Sequence, residues 1–457
     1  MRWAVSELPQ GWAFASLNEL QAQGGIFADG DWIESKDQDP NGRNRLLQLA
    51  DIGDGRFIDK SSRYVNDETF DRLNCTALEE GDILLARMPD PLGRACLMPR
   101  LPQRCLTVVD VAVFRSGSRD ISHRWLMHTL NASPIREEIS RNASGTTRKR
   151  IARGKLAELK VPVPPAAEQK RIAQKLDALL AQVDTLKARI DAIPALLKRF
   201  RESVLTAATN GNLTEDWRTQ MGSCENWTKV ELADVAREFS YGSAAKSTKQ
   251  GLVPVLRMGN IQNRLLDWKD LVFTSDLDEI KKYGLKDGDV LFNRTNSPEL
   301  VGKTAVFKGN RDAIYAGYLI KVKCSARLLP DYLNYCLGSP LGRAYCWKVK
   351  SDGVSQSNIN AKKLAAFTFD LPSVEEQTEI VRRVEQLFAY ADQLEAKVAA
   401  AQKRINALTQ SLLAKAFRGE LVPQDPTDEP ASVLLERIRT QRAAAPKPKR
   451  GRKAATS

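Results

Sequence analysis

Apolar residues recur at alternating steps of four and three over two stretches of the chain. The first runs Ile172, Leu176, Leu179, Val183, Leu186, Ile190, Ile193, Leu197, Phe200, Val204; the second runs Ile380, Val384, Leu387, Ala391, Leu394, Val398, Ala401, Ile405, Leu408, Leu412. Such a heptad seam predicts a long amphipathic helix in each stretch. Every position of the second series lies 208 residues after its partner (380 − 172). The chain is therefore two copies of one unit.

The helix boundaries follow from the residues around each seam. Val161-Pro162-Val163-Pro164-Pro165 is an extended segment, since proline fixes φ and disfavours helix in its predecessor, so the first helix is expected from about Ala166. Pro194 predicts a break or kink at Ile193, with a second helical segment ending at Asn210-Gly211. The second helix opens on Ser373-x-x-Glu376, a capping box, and closes at Gly419. At 1.5 Å per residue these spans are roughly 40 Å before the proline and roughly 67 Å for the uninterrupted copy.

The stretches outside the seams alternate short apolar runs with Gly, Asp and Pro turns. Arg45 to Leu49, Asp82 to Ala86 and Val108 to Phe114 read as strands, and Trp125 to Leu130 as a helix. The same frame returns in the second half. Gly288-Asp289-Val290-Leu291-Phe292-Asn293-Arg294 mirrors Gly81-Asp82-Ile83-Leu84-Leu85-Ala86-Arg87 (288 − 81 = 207), and Gly353 to Ile359 mirrors Gly145 to Ile151 (353 − 145 = 208). Between these anchors the side chains differ, so one scaffold carries two unlike surfaces. The expected class is α+β: two α/β domains related by an internal pseudo-twofold repeat, separated by two long helices forming an antiparallel coiled coil. Expected boundaries are 1–160 and 216–370 for the α/β domains, 161–215 and 371–421 for the helical regions, and 422–457 for a short helix at Ser432 to Thr440 with a disordered basic tail.

The net charge of +13 asks for a polyanion or a strongly acidic protein as partner. No apolar run approaches the roughly 20 residues needed to span a bilayer, and the N-terminus has no signal-peptide pattern, so a cytoplasmic protein is expected. The seven cysteines form no C-x-x-C pair and only His123 and His128 accompany them, which predicts reduced thiols without a zinc or iron site.

Catalytic patterns are missing. Gly302-Lys303-Thr304 imitates the end of a phosphate-binding loop, but Ser297 stands where the first glycine belongs and Ala305-Val306-Phe307 reads as a strand. Gly93-Arg94 holds the same place in the first copy, so the position asks for glycine followed by a cation. No dinucleotide fingerprint, zincin motif or nucleophile elbow occurs. What remains is a pair of polar clusters at matching places: Arg87, Arg94, Arg141, Arg148, Lys149, Arg150, Arg153 and Lys155 in the first domain, and Lys246, Lys249, Arg257, Arg294, Lys303, Gln356, Ser357 and Asn358 in the second. Arg and Lys suit phosphates, while Arg on guanine and Asn or Gln on adenine read base edges. Any single cation is commonly a solvated surface residue; the paired clusters point to double-stranded DNA. Two unlike surfaces at the ends of a helical rod suit two unlike half-sites, spaced by about one duplex turn or a multiple of it.

The chain resembles the specificity subunits of type I restriction-modification enzymes over essentially its whole length. Glu168-Gln169-Lys170-Arg171-Ile172 through Leu196-Leu197-Lys198-Arg199-Phe200-Arg201 is similar to the central conserved region of the type IA-like branch, and Glu376-Gln377 through Asp392 with Leu412 through Leu421 is similar to its C-terminal conserved region. The resemblance implies two target-recognition domains, each reading half of a bipartite target, and no catalysis by the chain itself. It also implies assembly with two modification subunits, which bring S-adenosylmethionine, and with restriction subunits, which use ATP and Mg. No cofactor is expected on this chain. A stand-alone DNA-modifying enzyme and a coiled-coil scaffold that binds only proteins are the alternatives. Arg450-Gly451-Arg452 resembles a minor-groove hook, although a Pro-rich charged run is more commonly a solvated tail.

Overall fold

The computed structural model describes residues 8–146, 148–222 and 227–444; Cys224 and the tail with Arg450-Gly451-Arg452 lie outside them. Two compact units make up the chain, one drawn from Met1–Ile190 and Ala401–Ser457 and the other from Asp191–Ala400. This division cuts through both long helices, so each unit joins an α/β region to half of each helix.

In the first unit Ile83–Ala86 is buried at every residue and pairs antiparallel with Val111–Arg115 on one side and Ala95–Leu97 on the other; Ile26–Asp29 completes this four-stranded sheet. A continuous apolar run such as Ile-Leu-Leu-Ala suits a strand covered on both faces. Beside it stands a three-stranded sheet in which Asn44–Leu47 runs parallel to Cys105–Thr107 and antiparallel to Arg63–Val65. Gly81 and Gly93, at φ 88° and 78°, bracket the central strand and its turn, a conformation that a Cβ would strain.

The second unit repeats the plan. Val290–Asn293 lies between Leu319–Cys324 and Thr304–Val306, with Ala236–Tyr241 at the edge, and Val253–Leu256 runs parallel to Ile314–Tyr315. Gly288 and Gly302 take φ 83° and 85° at the bracketing positions. Thr304–Val306 is a strand, so Gly302-Lys303-Thr304 leads into a sheet and not into a phosphate-holding helix.

The long helices are Ala166–Thr209 and Val374–Phe417, 44 residues each. The break expected at Pro194 does not occur. A proline costs the helix one hydrogen bond, here to the Ile190 carbonyl, and buried Leu197, Val204 and Leu205 beyond it hold the chain in register. Both helices stop where expected, at left-handed Gly211 and Gly419, φ 86° and 74°. Within the first unit Ile172 and Leu176 share a core with Leu413, Ala416 and Phe417. Within the second, Val204, Leu205 and Ala208 share a core with Ile380 and Val384. In each unit the start of one helix thus meets the end of the other, which is antiparallel packing. Val183, Ala391 and Val398 are also buried, and Leu179, Ile190, Leu387 and Leu394 are half-buried. Leu186 is a correction: it is 48% exposed. Leu186 lies between the stretch of this helix that enters the first core, Ile172 to Leu180, and the stretch that enters the second, Phe200 to Ala208, so neither core covers it.

The C-terminal helix is longer than expected and is not loose. It spans Ala431–Ala444, buries Ala431, Leu434, Leu435 and Ile438 in the core of the first unit, and is tied down by Ala431 N–H to the Gly11 carbonyl (2.8 Å), Arg437 to Asp120 (3.0 Å) and Arg439 to Glu19 (2.9 Å).

Each long helix begins with a buried Glu-Gln pair. Glu168 accepts from the Trp12 indole at 3.0 Å and Glu376 from the Trp227 indole at 2.9 Å. Gln169 donates to the Pro164 carbonyl and accepts from Ser122 N–H; Gln377 donates to the Pro372 carbonyl and accepts from Leu329 N–H. Ser373 Oγ accepts from Glu376 N–H at 3.2 Å, one arm of the expected capping box; the Glu376 carboxylate is engaged elsewhere, by Thr214 Oγ1 (2.6 Å) and by Arg218. Glu168 has no such partners, its second oxygen is buried without a hydrogen bond, and burial raises its carboxyl pKa.

The two glutamates should therefore respond oppositely in urea denaturation. Arg218→Ala, which strands the buried Glu376 charge, should cost about 3 kcal/mol. Glu168→Gln should leave stability unchanged or raised at pH 7. Because the folded pKa of Glu168 lies above the unfolded one, its penalty is absent below about pH 4 and grows as pH rises toward the folded value, so any gain in the glutamine variant should vanish near pH 4.

Candidate nucleic-acid interface

The end of the central strand organises the polar cluster of each unit. In the first, Arg87 follows Ile83–Ala86; its backbone N–H donates to the Asp110 carbonyl (2.8 Å) and its carbonyl accepts from Ile151 N–H (3.0 Å). Arg294 holds the same post in the second, with Arg294 N–H on the Tyr318 carbonyl (3.0 Å) and Ile359 N–H on its own carbonyl (2.9 Å). Each arginine thereby anchors a glycine-marked hairpin. Ser144 and Arg150 exchange backbone hydrogen bonds at 2.9 and 2.8 Å in the first, and Ser351–Asp352 pairs with Ser357–Asn358 in the second, with Thr295–Asn296 as a third strand.

The two arginine side chains differ. Arg87 is 5% exposed; it donates to the Ile151 and Val109 carbonyls, both at 3.0 Å, and pairs with Asp29. Arg294 is half-buried, lies over the Tyr241 ring at 4.6 Å, makes one long bond to the Gly317 carbonyl (3.3 Å) and keeps its Nε buried without a partner. Asp29 and Tyr241 stand at the same place in the sheet: Asp29 faces Ala112, and Tyr241 faces Ile320, the counterpart of Ala112 (320 − 112 = 208). One frame thus holds its arginine by an ion pair in one copy and against an aromatic face in the other.

Burial corrects part of the expected cluster. Arg87 does not face solvent, and Arg94, 7% exposed, spends its guanidinium on the Ile52, Pro91 and Leu49 carbonyls. Both are internal braces, because a buried guanidinium must satisfy its donors within the protein. Ser357 is buried with its hydroxyl on Asp352, and Asn358 donates to Thr295 Oγ1 at 2.8 Å, so both stabilise their hairpin.

The others are open to varying degree. Arg148 and Lys149 are exposed at the first hairpin tip, and Arg150 at its base is half-buried against the Val109 carbonyl (3.2 Å) and Asp110. Gln356 is exposed at the second tip. Arg141 is exposed but paired with Glu138 at 2.6 Å. Arg153 reaches the Phe27 carbonyl (3.0 Å), and Lys155 lies 3.7 Å from Glu158. Lys303 is half-buried, 3.3 Å from Gln262 Oε1, and burial beside Arg343 lowers its pKa. Lys246, Lys249 and Arg257 are exposed and belong to none of the hairpin strands; Arg257 donates to the Asp270 carbonyl at 2.8 Å, beyond the end of Val253–Leu256. Tyr241 escapes the repeat because it lies 212 residues after Asp29 (241 − 29), out of step with the prevailing offset.

The sequence profile of the type I restriction modification DNA specificity domain matches residues 9–195 and again 224–401, most of the chain. The chain belongs to the type I restriction-modification specificity subunits. It is 39% identical to the specificity subunit of the type I restriction enzyme EcoKI from Escherichia coli strain K12, across 98% of this chain and 99% of that one. It is also 36% identical to the StySPI specificity subunit from Salmonella potsdam, across 78% and 79%. A chain solved in work on complex assembly and conformational transition of the type I R-M system superposes with TM-score 0.69 at 19% identity, covering 91% of this chain and 99% of that one. The HsdS subunit from Thermoanaerobacter tengcongensis gives TM-score 0.59 at 18% identity, covering 92% and 100%. The specificity subunit is the non-catalytic, DNA-specifying component of its complex, and its two α/β regions are its target-recognition halves.

In this specificity subunit no group of three or more His, Cys, Asp or Glu able to hold a metal occurs among the described residues, and no helix among them is long and apolar enough to cross a membrane. The six cysteines among the described residues are free thiols, and burial pushes Cys96 up to about 12 and Cys75 to about 11. The division between braces and open cations is testable by thermal melting. Arg87→Met should destabilise the subunit by about 3 kcal/mol, as buried carbonyls lose their donors, while Arg148→Ala and Lys149→Ala should leave the melting temperature within about a degree.

Proposed function

We propose that this specificity subunit reads an asymmetric bipartite DNA target, one half-site by each recognition half, and that its long helices dock the modification and restriction subunits. On this reading two modification subunits supply S-adenosylmethionine, and the restriction subunits supply ATP and Mg chemistry. The observation that carries the reading is the pair of equivalent hairpins: one frame presents Arg148 and Lys149 in the first half and Gln356 in the second. Cations suit phosphates, while a side-chain amide suits the N6 and N7 edge of adenine. Arg141, Lys246, Arg257, Arg294 and Lys303 extend the candidate surface, with Arg150, Ser357 and Asn358 shaping the hairpins.

Fluorescence anisotropy of the full subunit with its modification subunits tests this directly. A duplex carrying the methylation target should bind at least 10³-fold more tightly than a scrambled duplex at physiological salt, and equal affinities would overturn the reading. Arg148→Ala and Lys149→Ala should each reduce the slope of log affinity against log salt by about 1. Unchanged slopes would remove the first hairpin from the interface.

A further inference from the structure

The tip of the second hairpin exposes a residue that the fold does not use. Gly353 N–H donates to the Gln356 carbonyl at 2.8 Å, closing a turn whose two central residues are Val354 and Ser355. Val354 is 110% exposed, more than any other large hydrophobic residue that is exposed among the described residues. Turns favour Gly, Pro, Asn, Asp and Ser, and a β-branched apolar residue gains nothing from standing in water at such a place. The first half has a β-branched residue at the same position, exposed Thr146 (354 − 146 = 208).

The surroundings favour a polyanionic occupant. The ladder is short, with Ser357–Asn358 between Ser351–Asp352 and Thr295–Asn296, so that only the exposed turn of residues 353–356 stands beyond it, and Ile359 on the Arg294 carbonyl holds its root. Lysines stand at its base: half-buried Lys350 bonds Asp352 at 2.6 Å, half-buried Lys363 reaches Ser351 Oγ at 2.7 Å, and Lys348 and Lys362, close to them in sequence, are exposed. The major groove, about 12 Å wide, admits elements as broad as a helix or a two-stranded ribbon and so admits this turn, and the apolar group that base pairs present there is the thymine 5-methyl. Valine is too small to wedge between stacked bases but well shaped to cover one methyl.

We infer that Val354 is a specificity-determining residue that packs on a thymine methyl in the major groove of the half-site read by the second recognition half. This rests on the DNA-reading function proposed above. Removing one methyl contact of about 0.8 kcal/mol corresponds to roughly a fourfold loss of affinity.

Uracil lacks only that methyl, which isolates the contact. The probes are duplexes bearing the methylation target, with each thymine of the second half-site replaced singly by uracil, titrated against the full subunit with its modification subunits. The wild type should lose roughly fourfold affinity at one thymine. Val354→Ala should bind the all-thymine duplex roughly fourfold more weakly, show no further loss at that uracil, and melt at the wild-type temperature. Val354→Thr, which keeps one methyl, should fall between them. The inference is overturned if no uracil affects the wild type, if Val354→Ala keeps the preference for thymine, or if Val354→Ala weakens assembly with the modification subunits and leaves DNA preference intact. A wild type that fails to separate target from scrambled duplex would instead sink the DNA-reading function, and the two failures are distinguishable in one titration series.

Discussion

The first turn of each long helix carries a buried carboxylate and a buried amide, and the recognition halves depend on where those two side chains bond. The glutamate takes the indole N–H of the tryptophan near the start of its α/β region, and the glutamine accepts one backbone N–H and donates to backbone carbonyls, one for Gln169 and two for Gln377. A buried polar group without partners costs about 1–3 kcal/mol, so the helix start and the α/β region are correct only together. The helix is thus built into the unit that it begins in. Repetition of this joint 208 residues later (376 − 168) makes the duplication structural as well as textual.

The joint is duplicated with unequal strength. Glu376 has a cation and a hydroxyl in addition to its indole, whereas Glu168 has the indole alone. A similar asymmetry runs through the candidate interface, where Asp29 holds Arg87 and Tyr241 leaves Arg294 with donors to spare. Duplicated scaffolds diverge most readily at such points, since backbone hydrogen bonds preserve the frame while one neighbouring side chain decides whether an arginine spends its donors inside the protein. Family membership explains why the scaffold is kept; these pairs show how unlike surfaces arise on it.

Much of this was legible in the residues. The heptad spacing marked both helices, the glycines marked the turns, and the 208-residue offset marked the repeat, because periodicity and φ > 0 leave direct traces in sequence. Burial did not. Arg87 and Arg94 read as surface cations, and only the surrounding carbonyls of Ile151, Val109, Ile52, Pro91 and Leu49 reveal them as internal. Pro194 read as a break because local propensity was weighed without the packing that overrides it. Leu186 keeps the heptad spacing, yet neither core reaches that part of the helix. A lone valine between glycine and serine, as Val354 is, carries no sequence signal until its exposure is known.

The helix at Ala431–Ala444 bears on how the protein is made. Asp191–Ala400 is one uninterrupted stretch, so every residue of the second unit has been synthesised before translation reaches Ala431. The first unit lacks that advantage: its core includes Leu413, Phe417, Leu434 and Ile438, and Gly11 awaits the amide of Ala431. The half that is synthesised first is therefore completed last, and a nascent chain spends most of its elongation with the N-terminal sheet partly uncovered. A premature stop near the C-terminus would accordingly spare the second recognition half and injure the first.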